Sequence, residues 1–445
     1  MKQTSIKLAV AMLATTALAA GSALAQTDYD FADTGNDGTV LYYKITGAQS
    51  VTVYGHRIDT SDATTVYVGA LAIPDTVTHD GASYAVTAVG DSAFMEQSSI
   101  TTVAFPATIR EIGVGAFNFC MGLTAIDIPE GVTTINEKAF FFCREAATTD
   151  IPSTVEYIGS NAFRCVGSDV SGSSVTIHDA PCNISRNAFC AGAENIDLGD
   201  SVLSLGDGAL ASCCARSIAL PSSLRHIGNF VFEGSVYLNR VTFPENMDTI
   251  PVGMFCGCMG LTSIEIPPTV THISDSAFMY CFQLAGDIVL PEGLLSVGQH
   301  VFDDCMSIDR ITSHAAEPPA AHNTSFSGIS SGIPVYVPCG AGEAYAEAPG
   351  WSHFNDFREM CNAVENAYAL SVTLSPSIAS WTANVVSSFG MSMVEAYDMS
   401  GAIVHRQKAD GLATTLDVRH WPTGTYLLRI HTPQGTAVKK LVVRR

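Results

Sequence analysis

Several groups of side chains in this sequence have the types and spacing that chemistry would need. Gly328-Ile329-Ser330-Ser331-Gly332 fits G-x-S-x-G, the frame of a serine nucleophile. That frame works when a strand precedes the serine and a helix follows it. Here a Gly/Ser-rich stretch follows Phe326 and a strand-like run, Pro334 to Val337, comes after, so the segment reads as a loop. Asp33-x-Gly35-x-Asp37-Gly38 opens like a calcium loop. Its third position is Gly35, and Lys44 stands where a bidentate glutamate is needed, so it reads as a turn. His226 and His272 sit at matching places before Ile227 and Ile273, which reads as repeat geometry on a polar face. No His-Glu-x-x-His and no Cys-x-x-Cys occurs, so no zinc site is read. No phosphate loop or dinucleotide fingerprint is present. No catalytic residue, metal or cofactor is assigned.

The more useful set is acidic. Asp127, Asp150, Asp197 and Glu265 each stand between two short-strand positions, as in Ile126-Asp127-Ile128 and Ile264-Glu265-Ile266. A residue between two inward-facing neighbours points to solvent. The same position holds Ala104, Ala219, Thr242 and Val289, with His178 in an irregular unit. Such a file would bind a basic protein surface or a cation; the plain alternative is an acidic coat that keeps the protein soluble. Asp127 and Asp150 as strand neighbours would repel one another.

The elements that must position these residues repeat. Counting from Phe94, the position filled by Phe117, Phe140, Phe163, Phe189, Leu210, Phe232, Phe255, Phe278 and Phe302 recurs at intervals of 23, 23, 23, 26, 21, 22, 23, 23 and 24 residues. Most units read Ile-Gly-x-x-Ala-Phe-x-x-Cys-x-x-Leu-x-x-Ile-x-Ile-Pro-x-x-Val. Ile126-Asp127-Ile128 alternates with the period of a half-buried strand, and Pro129 ends it. A unit this short cannot bury its own apolar groups, whereas stacked units share one core. With strands about 4.8 Å apart, ten such turns make a rod roughly 45 Å long. The departures are the polar insertion Ser168–Ser174 and the Leu210 unit, which lacks the ring.

Cys120, Cys143, Cys213, Cys258, Cys281 and Cys305 fall three residues after the Phe/Leu position. Recurrence in register reads as a small buried apolar residue with a weak S–H donor. The total of 13 is odd, which argues against complete pairing. Off register, Cys182 with Cys190 and Cys339 with Cys361 are the disulfide candidates that an exported protein would favour.

The repeat resembles the leucine-rich repeats of the bacterial BspA-like surface-antigen family over about residues 28–360. The resemblance implies a β-rich leucine-rich-repeat solenoid of about ten turns of roughly 23 residues (89–312). It also implies an N-terminal β cap region (26–88) and a C-terminal cap (313–360) that includes Val335-Tyr336-Val337-Pro338 and Gly350-Trp351. It implies a non-catalytic adhesin whose partner is a protein: host matrix, a host cell surface or other bacteria.

Charge divides the chain. Residues 26–366 hold 12 basic and 39 acidic side chains, a net of −27. Residues 367–445 hold eight basic and four acidic ones, a net of +4. A chain with net charge −21 repels phosphate backbones, so nucleic acid is excluded as a partner. After a linker at 361–370, residues 371–445 alternate as short strands between turns, a small C-terminal β-sandwich. They resemble the sorting domain of type IX secretion cargo at Leu374 to Pro376, Gly401 to Val404, Gly424-Thr425-Tyr426 and Lys439-Lys440-Leu441. Ser375 departs from the Asn that often precedes this proline. The resemblance implies type IX machinery as a partner, transit across the outer membrane, and a body left extracellular or anchored at the cell surface. It carries the motif residues Gly401, Gly424, Tyr426, Lys439 and Lys440.

At the other end, Lys2 and Lys7 precede an apolar run from Leu8 to Ala20, and Ala23-Leu24-Ala25 presents small residues for cleavage between Ala25 and Gln26. Residues 1–25 therefore read as a secretory signal peptide, and the mature chain has no run long enough for a transmembrane segment. Asp75-Thr76-Val77 and Asp91-Ser92-Ala93 resemble O-glycan acceptor sites of bacteria with this export route. The function expected is adhesion. The alternatives are a self-assembling structural component of the cell surface and a glycan-processing accessory or enzyme.

Overall fold

Each unit of about 23 residues closes as one coil: a strand, a proline turn, a second strand of two residues, and a turn carrying phenylalanine. In one coil these are Ala125–Asp127, the turn in which Val132 N–H donates to Pro129 O at 3.3 Å, Thr134–Ile135, and the turn around Phe140. Both strands pair parallel with their counterparts in the next coil, Ala125–Asp127 with Thr148–Ile151 and Thr134–Ile135 with Tyr157–Ile158. A strand of two or three residues makes too few hydrogen bonds to persist alone. The coils hold one another.

The computed structural model describes residues 29–35, 38–55, 66–361, 372–433 and 435–445. The signal peptide, its Ala25/Gln26 junction and residues 362–370 of the linker lie outside the described residues. Two compact units result, Met1–Glu359 and Met360–Arg445.

In the first unit an antiparallel meander of Phe31–Thr34, Val40–Gly47 and Ser50–Tyr54 opens the fold. Ser50–Tyr54 then pairs parallel with Ala82–Val89, which pairs with Glu111–Ile112 and starts the ladder of short strands. One core runs from Phe31 to Phe354 without interruption. Its centre is a column of rings. Phe94, Phe117, Phe140, Phe163 and Phe189 stack with centroids 5.2–5.3 Å apart. Leu210 interrupts the column, and Phe232, Phe255, Phe278 and Phe302 resume it at 5.4–5.5 Å. Sequence spacing stopped at Phe302, but Phe326 adds a further ring at 6.0 Å, because Ser325 stands where the other turns carry Ala, Val or Met. Tyr67 closes the column edge-on at one end and Trp351 at the other.

The turn backbone stacks as well. Phe117 N–H donates to Ala139 O and Phe140 N–H to Ala162 O, each at 2.7 Å. To make these bonds the residues two before and two after each ring from Phe94 to Phe302 turn left-handed. Gly115 and Phe119 flank Phe117, and Lys138 and Phe142 flank Phe140, all with φ near +60°. Glycine adopts this readily; Lys138 and Phe142 do so against a steric cost of about 1–2 kcal/mol each, sustained by the stacking.

The in-register thiols complete the interior. Sγ of Cys120, Cys143, Cys258, Cys281 and Cys305 donates to the carbonyl oxygen of Phe94, Phe117, Phe232, Phe255 and Phe278, the ring residue of the coil before, at 3.0–3.3 Å. Ser235 fills the same place in its own coil and donates to Leu210 O at 3.3 Å. Burial pushes the Cys120 thiol up to about 12 and the Cys213 thiol up to about 11, and raises Cys143, Cys258 and Cys281. Cys339 and Cys361 are disulfide-bonded. Cys182 and Cys190 are not: both are free, Cys182 within the main core beside Ile184 and Cys190 under the phenylalanine turn outside it.

In the second unit a six-stranded sheet curls around Val385, Val394, Leu416, Leu428, Ile430 and Leu441. The long strand Thr382–Tyr397 is its hub and pairs antiparallel with Val372–Ser375, Ile403–Asp417 and Gly424–Thr432. Gly401, at φ +85°, makes the turn in which its N–H donates to Asp398 O at 3.0 Å. Gly424 opens its strand, and Tyr426 Oη donates to Pro422 O at 2.7 Å while its ring meets Trp421 edge-on. Lys439 and Lys440 lie exposed on Gly435–Val443.

Two outcomes follow from the interior. Phe140→Ala opens a hole in the middle of the column and should cost about 3–5 kcal/mol in denaturant unfolding; a loss under 1 kcal/mol would show that the rings do not carry the stack. Under denaturing conditions 11 thiols should titrate, whereas in the native chain Cys214 and Cys256, the two that are only half-buried, should react well before the nine buried ones. The raised thiols stay protonated in the fold while unfolded thiols ionise near pH 8.5. Stability should therefore be full below that pH and fall as pH rises toward 12, by up to about 1.4 kcal/mol per pH unit for each such thiol.

Candidate interaction surface

The longer strand of each coil presents a flat parallel sheet to solvent. Inward residues such as Ile126, Val175 and Ile218 are buried, so their neighbours must face out. Register sets Asp127 opposite Asp150, Asp150 opposite Thr176 and Thr176 opposite Asp197. Three of the four acids thus share one file, with a threonine between the second and third. Thr176, not His178, holds the place in the irregular coil. The insertion ends before Ser174, so Val175 and Ile177 point in, Thr176 points out, and His178 lies beyond the strand. His178 still reaches the file, where its Nε2 hydrogen-bonds Asp150 Oδ1. The insertion is tied down by Arg144, whose Nη2 donates to Asp169 Oδ1 at 2.7 Å.

Farther along, Ala219 stands opposite Thr242. Glu265 is exposed between Ile264 and Ile266, which pack against the core, but this stretch makes no ladder pairing. Asp127 and Asp150 are therefore neighbours, Asp197 is near them, and Glu265 stands apart. The file continues past Val289 through Thr312, Tyr336 and Arg358, a continuation not legible in the repeat pattern. Guanidinium carbons of Arg310 and Arg358 lie 6.0 and 5.9 Å from the Tyr336 ring centre. Arg310 is paired with Asp287 at 3.1 Å and Arg358 with Asp356 at 2.7 Å. Alternation in Val335-Tyr336-Val337 is the available signal, and Phe326, 24 residues after Phe302, is the ring that aligns it with the repeat.

The opposite ladder of short strands shows solvent a polar row that includes Glu111, Thr134, Asn183, Ser204, His226 and His272. His226 and His272 lie in different sheets and converge on nothing. Gly328–Gly332 is the turn after Phe326, in which Ser330 Oγ accepts from Gly332 N–H at 3.4 Å. Asp33 lies in the first strand of the meander, and Asp37 falls outside the described residues. Thr76 is exposed at the start of Thr76–His79, and Ser92 is half-buried in the first phenylalanine turn. Among the described residues no helix is long and apolar enough to cross a membrane.

The sequence matches the BspA type leucine rich repeat region in six copies, over residues 87–189 and 182–309. It matches the secretion system C-terminal sorting domain over residues 377–444. No curated protein matches the sequence. Among solved structures it is similar to a leucine-rich repeat protein from Bacteroides ovatus, at 21% identity and a TM-score of 0.45 over 75% of this chain and 77% of that one. It is also similar to a leucine-rich cell surface protein from Faecalibacterium prausnitzii, at 20% identity and a TM-score of 0.30 over 65% and 96%. A third is the pneumococcal vaccine antigen PcpA, at 16% identity and a TM-score of 0.39 over 76% and 100%.

Like charges set directly opposite in a sheet destabilise it. Asp127→Asn should therefore raise stability at low salt by a few tenths up to about 1 kcal/mol, with the gain shrinking as salt screens the pair. A loss of stability in Asp127→Asn would mean that the carboxylate is held by attraction rather than tolerated against repulsion.

Proposed function

Because the chain belongs to the BspA-type leucine-rich repeat proteins and ends in a type IX sorting domain, which sends its carrier across the outer membrane, we infer that this secreted surface protein is a non-catalytic adhesin. Its partner is a protein of the host matrix, the host cell surface or a neighbouring bacterium. Contact is made through the sheet face that carries Asp127, Asp150 and Asp197, with Glu265 farther along.

The observation that carries this reading is the Asp127–Asp150 register. Selection for stability alone would remove one of two carboxylates set side by side, and a cationic partner surface relieves their repulsion when it binds. Parallel strands repeat the spacing coil after coil, so a partner can make many weak contacts on one rigid plane. The net charge of −27 over residues 26–366 adds long-range attraction toward basic surfaces and speeds encounter with them.

The test is binding of the purified chain to immobilised matrix proteins and host cells at two salt concentrations. Saturable binding that weakens with salt, and weakens at least about tenfold when Asp127, Asp150, Asp197 and Glu265 become Asn or Gln, is the expected outcome. Binding indifferent to those changes would move the site off this face. No binding at all, together with concentration-dependent assembly of the chain on itself, would replace adhesion with a structural role.

A further inference from the structure

The second unit has a surface of its own. Tyr426, Leu428 and Ile430 are buried on one side of Gly424–Thr432, so Leu427 and Arg429 face outward. Leu441 and Val443 are buried on Gly435–Val443, so Val438 and Lys440 face outward. Register sets Leu427 opposite Lys440 and Arg429 opposite Val438. The turn between Asp398 and Ala402 stands beside them with Met399 at its tip. Tyr397, Asp398, Met399, Leu427, Arg429 and Val438 line an open depression of about 360 Å³.

Its chemistry is one-sided. Met399, Leu427 and Val438 are 71%, 42% and 55% exposed. The Arg429 guanidinium lies 5.1 Å from the centre of the Tyr397 ring, with Nη1 3.5 Å from the phenol oxygen. Among the described residues no carboxylate pairs with Arg429 or Lys440. Asp398 itself lines the depression and Glu395 stands opposite Arg429 in the register, but both carboxylates are held by other groups. Asp398 Oδ1 accepts from Ser400 and Ala402 in its own turn, and Glu395 is held by Arg406 at 2.7 Å and His431 at 3.2 Å. Scattered exposed apolar residues need no explanation. Three gathered around a cation that forms no ion pair among the described residues have the make-up of a contact site, and a carboxylate beside an apolar side chain would complete it.

We propose that this depression is where the sorting domain seats an extended, carboxylate-bearing apolar segment of the secretion machinery. The proposal rests on reading residues 377–444 as a sorting domain and assigns that domain its contact face. Leu427 and Val438 supply the apolar floor, Arg429 pairs with the carboxylate, and Met399 closes over the segment as an adaptable side chain. Lys440 strengthens the field at the rim.

The test uses the full chain, expressed in a bacterium that has type IX machinery, with its amount at the surface and in the medium compared with that held in the periplasm. Arg429→Glu and Leu427→Ser should each cut export at least about tenfold, Arg429→Lys by no more than about threefold, and Trp381→Ser hardly at all. Trp381 is the control because it is 71% exposed yet lies outside the depression. Protease resistance of the retained chain separates lost recognition from lost folding; if Arg429→Glu fails that check, Leu427→Ser decides. Export of Arg429→Glu and Leu427→Ser at wild-type level, or equal loss in Trp381→Ser, overturns the proposal. So does a loss of self-association in Arg429→Glu with export intact, which would make the patch an interface between copies. A chain ending at residue 370 separates the two layers. If it is retained while Arg429→Glu is exported, only the contact face is wrong. If it is exported normally, the sorting reading falls and the proposal with it.

Discussion

No coil of this protein has an inside of its own, and every other property follows from that constraint. A coil contributes, in most cases, one ring and one thiol, with two residues to the short ladder and about three or four to the longer one. Each of these finds its partner in the next coil. Two bonds of one coil illustrate it: Phe140 N–H reaches Ala162 O at 2.7 Å, one coil away, while Cys143 Sγ reaches back to Phe117 O at 3.3 Å. Contacts forward and backward along the stack make its stability a property of neighbours, as in other repeat arrays. They also explain why the turns tolerate left-handed Lys138 and Phe142. The conformation that costs energy locally is the one that aims the amide at the next coil.

The repeat was legible because its constraint is periodic. A ring every 23 residues and a cysteine three places later can be read without coordinates, and so can the outward place of Asp127 and Asp150. What failed was local. The polar insertion hides where the strand resumes, so repeat counting points to His178, whereas the inward Val175 and Ile177 give the place to Thr176. Ser325 and the Pro318-Pro319 stretch disguise the turn of Phe326. Lying off the thiol register makes Cys182 and Cys190 candidates for a disulfide, but only Cys182 belongs to the main core, and both are free. Cys339 and Cys361, bonded in the structure, lie beyond the last phenylalanine turn.

The interior leaves the outward positions free. On the body these carry carboxylates in one half of the sheet and, near the exit, Arg310 and Arg358 about Tyr336. On the C-terminal unit they carry apolar side chains around the Arg429 guanidinium, which lies over the Tyr397 ring. The two units therefore differ in the chemistry they show as well as in net charge. An acidic, rigid plane suits many weak contacts with a basic surface, and a small apolar depression with one cation suits a single short segment.

Hydrogen exchange resolved to single amides tests the central claim most directly. If the stacked turns hold the coils together, the amides of Phe117, Phe140 and Phe163 exchange as slowly as those of the core strands, although they lie in turns of the chain. Exchange of those three amides at the rate of exposed loops, with the strand amides still protected, would contradict the account and leave the ladders as the only bond between coils.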